Sequence, residues 1–168
     1  ALSQERPILL PLHDKRLERS REDLLDTDQD EIATDFFRVL RAWSLVAERN
    51  FDPSLCQDIG IHAGRCRDAS RLAQRYLSLA GIDNDNDNNF LCSPADLAKC
   101  LLCAFPDHIG KRRNSGMLLY DLSNGKNGEL RRQSVARDAD LLVAAELDEI
   151  EMRGNVGLML SLATEIRE

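Results

Sequence analysis

The sequence lacks the motifs that most directly announce an enzyme. It contains no GxxxxGKS or GxxxxGKT phosphate loop, no GxGxxG and no GxSxG, so neither a nucleotide cradle nor a nucleophile elbow can be assigned. Its three histidines, His13, His62 and His108, share no spacing, and the acidic cluster at Asp148, Glu149 and Glu151 has no partnering nucleophile. No apolar run approaches the roughly 18 residues needed to cross a membrane. The start lacks the basic-then-apolar layout of a secretory leader. It also lacks an initiator Met, and the expectation is a piece of a longer chain. Excess positive charge is missing too: the formal net charge is -7, which argues against whole-surface attraction to nucleic acid. Five cysteines without regular spacing do not make a disulfide framework, and they suit a reducing, cytoplasmic compartment.

What is present is ordinary for a soluble globular protein. Of 168 residues, 43% are hydrophobic and 30% charged, enough for one compact domain or two small ones. Residues 1–22 mix Pro7 and Pro11 with scattered basic side chains, and a helix is placed after Pro11. From Asp28 the periodicity sharpens. Asp28 and Glu31 resemble a capping box. Ile32, Phe36, Val39, Leu40, Trp43 and Val46 then recur at steps of three and four, which predicts a helix of about five turns ending near Asn50. Pro53 breaks that pattern, and a short helix is placed from Ser54. In the next helix Ala69, Leu72, Ala73, Tyr76, Leu79 and Ala80 form the apolar face, and Arg67, Arg71 and Arg75 project from another. Such a strip is a solvated face in the first instance. Its alternative is a row of phosphate contacts, because each Arg brings fork-shaped donors as well as charge. Gly81 is placed to end this helix.

Residues 83–92 read as an Asp/Asn-rich linker. Asp83, Asp85 and Asp87 match the first, third and fifth ligands of a calcium loop. Asn88 stands where the turn needs Gly, and Pro94 where the cage needs Glu, so a tether is the preferred reading. Beyond it Ser93 is a natural N-cap and Pro94 a natural first helical residue. Leu97, Cys100, Leu101 and Ala104 then share a face of a helix that stops at Pro106. Cys100 and Cys103 form a CxxC without a second pair, and are read as buried small hydrophobes rather than zinc ligands.

The grammar then changes. "MLLYDL", "SNGKNG" and "ELRRQSV" form a candidate hairpin, with Asn124-Gly125 and Asn127-Gly128 as turn signals. "LLVAAEL" and "VGLMLSL" are short apolar runs for which strand and helix compete. The working organisation is a helical half followed by a mostly β half. Between Pro106 and Arg137, seven basic residues face only three acidic ones. Lys111, Arg112 and Arg113 are the first candidates for contact with a nucleic-acid backbone, then Arg131 and Arg132, with Lys126 in the same stretch. The Arg67, Arg71 and Arg75 strip is the poorer choice. Tyr120 is read as a core aromatic in preference to a stacking platform.

Four blocks carry a resemblance: "LSQERPIL", "DFFRVLRAW", "GIHAGRCRDASRLAQRYL" and "LAKCLLCAFPDHIGKRR". In order and spacing they resemble landmarks of DEAH-box ATP-dependent helicases, and most of all the bacterial HrpB-type group. In that group a stretch like LLxAxPDRIxxRR leads into a strand with an NG turn. Here it reads "LLCAFPDHIGKRR", with His108 where Arg is common, followed by "LLYDLSNGKNGEL". The resemblance implies a region C-terminal to two RecA-like motor domains, in which ratchet helices precede an oligonucleotide-binding (OB) barrel. The implied fold class is α+β: a helical ratchet-like region over 1–82, a linker over 83–92, a helix over 93–104 leading onward, and a small antiparallel OB-like β domain over 105–168. Only four strands are counted where an OB fold has five, so the barrel is expected to be incomplete. By the same analogy the two apolar runs become strands. No cofactor is expected in this region; ATP and Mg2+ belong to the parent's motor domains. The expected partners are single-stranded RNA or DNA and those motor domains, with no membrane. The alternative function is a protein-interaction module that docks on the motor domains or a partner without touching nucleic acid. A metal-binding protein using the Asp/Asn segment or the cysteines is a third.

Overall fold

The computed structural model describes residues 7–12, 14–26, 31–82, 93–152 and 155–167. The calcium-loop or linker reading, Cys92, His13 and Asp28 of the capping box all lie outside the described residues. Two compact units emerge, one within residues 1–27 and 37–91 and the other within 28–36 and 92–168.

The first unit is helical. Helix α1, Lys15–Leu25, starts at Asp14, whose carboxylate accepts from the Arg16 backbone N–H at 2.8 Å, and buries Leu25. Helix α2, Asp35–Ala47, buries Val39, Ala42 and Val46. It is shorter than the predicted five turns, because Ala33 and Thr34 pair with a strand instead of coiling (below). Trp43 lies on its inner side and donates to Ser70 Oγ at 2.9 Å. Helix α3, Pro53–Asp58, opens on Asp52 as N-cap, one residue ahead of the predicted start.

Helix α4, Ala63–Leu79, ends as the sequence implies. Gly81 has φ +68°, its N–H reaches Ser78 O, and Ile82 N–H reaches Leu77 O at 3.0 Å. These are the paired bonds of a glycine-terminated helix. Its predicted apolar face needs correction. Cys66 and Ala69 are buried, whereas Tyr76 and Leu79 stand exposed, Leu79 at 76%.

The second unit holds helix α5, Pro94–Ala104, capped by Ser93 Oγ, which accepts from Asp96 N–H at 3.1 Å. Ala98 and Leu101 are its buried residues. Cys100 and Cys103 are both exposed, which corrects their reading as buried hydrophobes. A single 3-10 turn, Pro106–His108, follows.

Five strands complete this unit: β1 Ile109–Arg112, β2 Leu119–Leu122, β3 Asn127–Leu130, β4 Leu141–Met152 and β5 Asn155–Glu165. They close in the order β1-β2-β3-β5-β4, with β4 paired back onto β1. Two expectations are corrected here. The barrel is closed rather than short of a strand, because "IGKR", uncounted from sequence, is β1. The sheet is mixed rather than antiparallel, because β3 and β5 run parallel, pairing Glu129 with Met159 and Leu130 with Leu160. "LLVAAEL" and "VGLMLSL" are strands, joined in a long antiparallel ladder from Leu142–Glu165 to Met152–Asn155.

The β2–β3 hairpin turns at Asn124-Gly125. Gly125 has φ +81° and donates to Leu122 O at 2.9 Å, while Leu122 N–H reaches Lys126 O, a three-residue turn that needs glycine at its left-handed position. The second signal, Asn127-Gly128, makes no turn. Gly128 lies within β3, where a Cβ would stand 2.7 Å from Leu160 Cδ2. Tyr120, Leu122, Leu130, Leu142 and Leu160 fill the barrel.

Residues 33–35 complete the barrel from the first half of the sequence. Thr34 bridges Thr164 on β5, and their hydroxyls lie 2.8 Å apart. Glu165 N–H donates to Ala33 O and Ala33 N–H to the Glu165 carboxylate. Asp35 is buried and accepts three hydrogen bonds at 2.9 Å, from Ser134 Oγ, Val135 N–H and Ala163 N–H. The last of these depends on a kink. Leu162 has φ +49° and no partner in the β4–β5 ladder, and this left-handed residue, costly for a bulky side chain, lies beside the N–H given to Asp35.

Candidate nucleic-acid interface

Strand alternation divides the three basic residues that head the candidate list. On β1, Lys111 points outward and is exposed, while Arg112 turns inward with a side chain only 7% exposed. Arg113, just past the strand, is exposed again.

The Arg112 guanidinium is committed to its own fold. Its Nε and Nη2 donate to Ala139 O at 3.0 and 2.9 Å, Nη1 donates to Met117 O at 3.2 Å, and Nη2 also reaches Arg137 O. The guanidinium carbon sits 5.4 Å from the centroid of the Tyr120 ring. Tyr120 is fully buried and donates its hydroxyl to Ala139 O at 2.7 Å, which makes it a core aromatic. Burial pushes its phenol above the ordinary value, with Arg112 pulling the other way. Arg112 therefore pins the loops on either side of β2–β3 by capping their carbonyls, and its donors are not turned to a ligand.

Arg113 forks onto Asp121 of β2, with Nε at 3.2 and 3.3 Å from the two carboxylate oxygens and Nη2 in contact with Oδ1. The hydrogen bond from Arg113 holds the Asp121 carboxyl below its usual range, and the same bond raises Arg113. Arg131 is likewise paired, its Nη2 lying 2.8 Å from Asp148 Oδ2 on β4. Among the described residues, Lys111, Lys126 and Arg132 form no ion pair, and all three are exposed. A groove of ≈ 550 Å³ is lined by residues 111–115 together with Asp138, Asp140, Leu141, Glu165 and Ile166. Lys111 and Arg113 thus share this groove with three carboxylates, Asp138, Asp140 and Glu165.

The outward side chains of β2 and β3 are Leu119, Asp121, Asn127 and Glu129. They offer two carboxylates and no ring. Loops and one face of a small barrel are its usual ligand-contacting parts; here the basic side chains lie on β1 and in the loops, and the β2–β3 face carries only acidic charge.

In the helical unit, Arg67, Arg71 and Arg75 are all exposed along α4. Arg67 donates to Phe51 O at 3.2 Å and lies 5.7 Å over the Phe51 ring. Arg71 pairs with Asp68 at 3.2 Å. Arg75 forms no ion pair among the described residues. The strip is solvent-facing, and only its last member is unengaged.

Sequence reasoning counted Asp121 and Asp148 but not their pairing with Arg113 and Arg131. Asp121 lies opposite Lys111 in the β1–β2 register, so recognising β1 as a strand would have brought it beside the basic run. Among the described residues, no group of three or more His, Cys, Asp and Glu side chains is placed to hold a metal ion, and no helix is long and apolar enough to cross a membrane. Compared with models of known protein families and with curated proteins, the chain matches none.

Proposed function

We propose that this chain is an accessory region of a DEAH-box, HrpB-type ATP-dependent helicase, and that its barrel holds the backbone of a single nucleic-acid strand. One observation carries the reading. The five strands close in the order β1-β2-β3-β5-β4 with β3 parallel to β5, which supports an OB-like reading, and the first of them lies within the "LLCAFPDHIGKRR" block that resembles that group.

The exposed, unpaired side chains Lys111, Lys126 and Arg132 supply sequence-independent phosphate contacts, with Arg113 and Arg131 in reserve behind their carboxylates. Arg112 shapes the site from within. ATP and Mg2+ belong to motor domains of the parent protein, and no residue of this chain is assigned to them. RNA and DNA are equally served by backbone contacts.

A second reading, docking on the motor domains or another protein, is favoured by the β2–β3 face, which has Asp121 and Glu129 but no aromatic platform for bases. One experiment separates the two. Labelled single-stranded RNA is titrated with the wild-type chain and with Lys111→Glu/Arg113→Glu at two salt concentrations. Salt-sensitive binding lost in the variant supports the strand contact. Unchanged RNA binding, with loss of contact to the motor domains, supports docking.

A further inference from the structure

The arginines that sequence singles out on the barrel are not equally available. Arg113 is forked onto Asp121, and Arg131 makes a single contact with Asp148, each pair half-exposed. A phosphate approaching Arg113 meets a carboxylate already occupying the guanidinium edge. It must displace Asp121, or sit beside a second negative charge at contact distance. Glu129 stands on the same outward face, yet among the described residues it forms no ion pair. The face therefore carries two carboxylates in different roles, one bound to a cation and one not.

Resting on the strand-contact reading above, we infer that Asp121 is a built-in counter-ion that withholds Arg113 from the strand and holds the affinity of the interface down. The device costs little in stability, since an exposed pair in water contributes weakly. Its effect on ligand binding is larger, because removing the carboxylate both frees a fork-shaped donor and deletes a repelling charge. An interface restrained in this way grips a strand loosely, which suits a motor that must let the strand slide. Weak, salt-sensitive contacts permit such movement.

The prediction distinguishes release of Arg113 from simple loss of negative charge. Asp121→Asn and Glu129→Gln each remove one unit of charge from the same face, and only the first frees a guanidinium. With labelled single-stranded RNA and the full 168-residue chain, Asp121→Asn is expected to tighten binding about 3- to 10-fold at low salt. The slope of log K against log salt should steepen by about 0.7, the value for one further phosphate contact on a single strand. Glu129→Gln should tighten binding by less than about 2-fold with the slope unchanged, and adding Arg113→Ala to Asp121→Asn should abolish the gain.

Equal effects of Asp121→Asn and Glu129→Gln, or persistence of the gain without Arg113, would overturn the counter-ion role and leave the strand contact standing. Binding by Asp121→Asn alone, with none by the wild type, supports it in its strongest form. No binding by any variant at low salt overturns both the counter-ion role and the strand contact. Circular dichroism of each variant confirms that the fold is kept.

Discussion

Arg112 and Tyr120 meet at a single carbonyl. The guanidinium and the phenol both donate to Ala139 O, at 2.9–3.0 Å and 2.7 Å, while the cation lies 5.4 Å from the ring centroid. This arrangement turns a residue that reads as a ligand contact into part of the barrel's frame. Arg112→Ala would remove the Arg112 donors from the carbonyls of Met117 and Arg137, leave Ala139 O with the Tyr120 hydroxyl, and uncover the ring. The expected loss is about 2–4 kcal/mol, read as faster amide hydrogen exchange across β1 and β2. Lys has no fork to span the three carbonyls, so Arg112→Lys should recover only a minor part. Arg113→Ala should leave the exchange rates as they are. Protection of β1 and β2 kept in Arg112→Ala would contradict the framing role. Charge reversal of Arg112 is accordingly a poor test of ligand binding, and Lys111, exposed and without an ion pair among the described residues, is the better choice.

Within the strand-bearing unit Asp35 accepts from three donors far away in sequence. Asp35→Ala removes the shared acceptor and leaves the N–H groups of Val135 and Ala163 unpaired. Each orphaned buried donor costs about 1–3 kcal/mol, so urea unfolding followed by far-UV circular dichroism should show a loss of at least about 3 kcal/mol. Asp35→Asn keeps one acceptor oxygen and should lose less. An Asp35→Ala midpoint equal to wild type would show that the three bonds are dispensable.

Glu146 gives the barrel a pH signature. Burial pushes its carboxyl above the ordinary value of 4.5, with the Asp148 charge adding to the rise and the Ser161 hydroxyl opposing it. A carboxyl raised on folding ionises less readily in the native state than in the unfolded chain. Its contribution is therefore neutral below pH 4.5 and turns unfavourable as pH rises through the folded value. Glu146→Gln should raise the urea midpoint at pH 7 and not at pH 4. A gain at pH 4 as large as at pH 7 would rule out this cause.

The cysteines divide by exposure. Cys56 and Cys66 are buried, and burial pushes the Cys66 thiol up to about 11, far from the thiolate form that reacts. Cys100 and Cys103 are exposed on α5. Brief iodoacetamide treatment of the native chain at pH 8, read by peptide mass spectrometry, should modify Cys100 and Cys103 and spare Cys56 and Cys66. Labelling of Cys66 at the rate of Cys100 would contradict the burial.

Legibility in the sequence followed the strength of local signals. Ser93-Pro94 and Gly81 mark helix ends through capping chemistry that two residues carry alone, and both stand where that chemistry puts them. The strand Ile109–Arg112 has one β-branched residue, two basic ones and a glycine. Nothing in its four positions favours a strand; its pairing with β2 on one side and β4 on the other imposes it. Once that strand was missed, the alternation separating Arg112 from Lys111 and Arg113 had no phase, and three adjacent basic residues looked alike. Asn127-Gly128 misled for a related reason. Its glycine serves close packing against Leu160, a tertiary requirement, and not a turn. Helix α2 begins late because Ala33 and Thr34 are claimed by β5, more than a hundred positions away.

The most direct test of the central claim is the fluorescence anisotropy of labelled single-stranded RNA with the wild-type chain across a salt series. With Lys111, Lys126 and Arg132 as the available contacts, log K should fall by about two for each tenfold rise in salt. Lys111→Glu should weaken binding alike for unrelated sequences. Failure to bind at low salt, or binding indifferent to salt and to Lys111, would contradict the strand contact and leave docking as the function of this barrel.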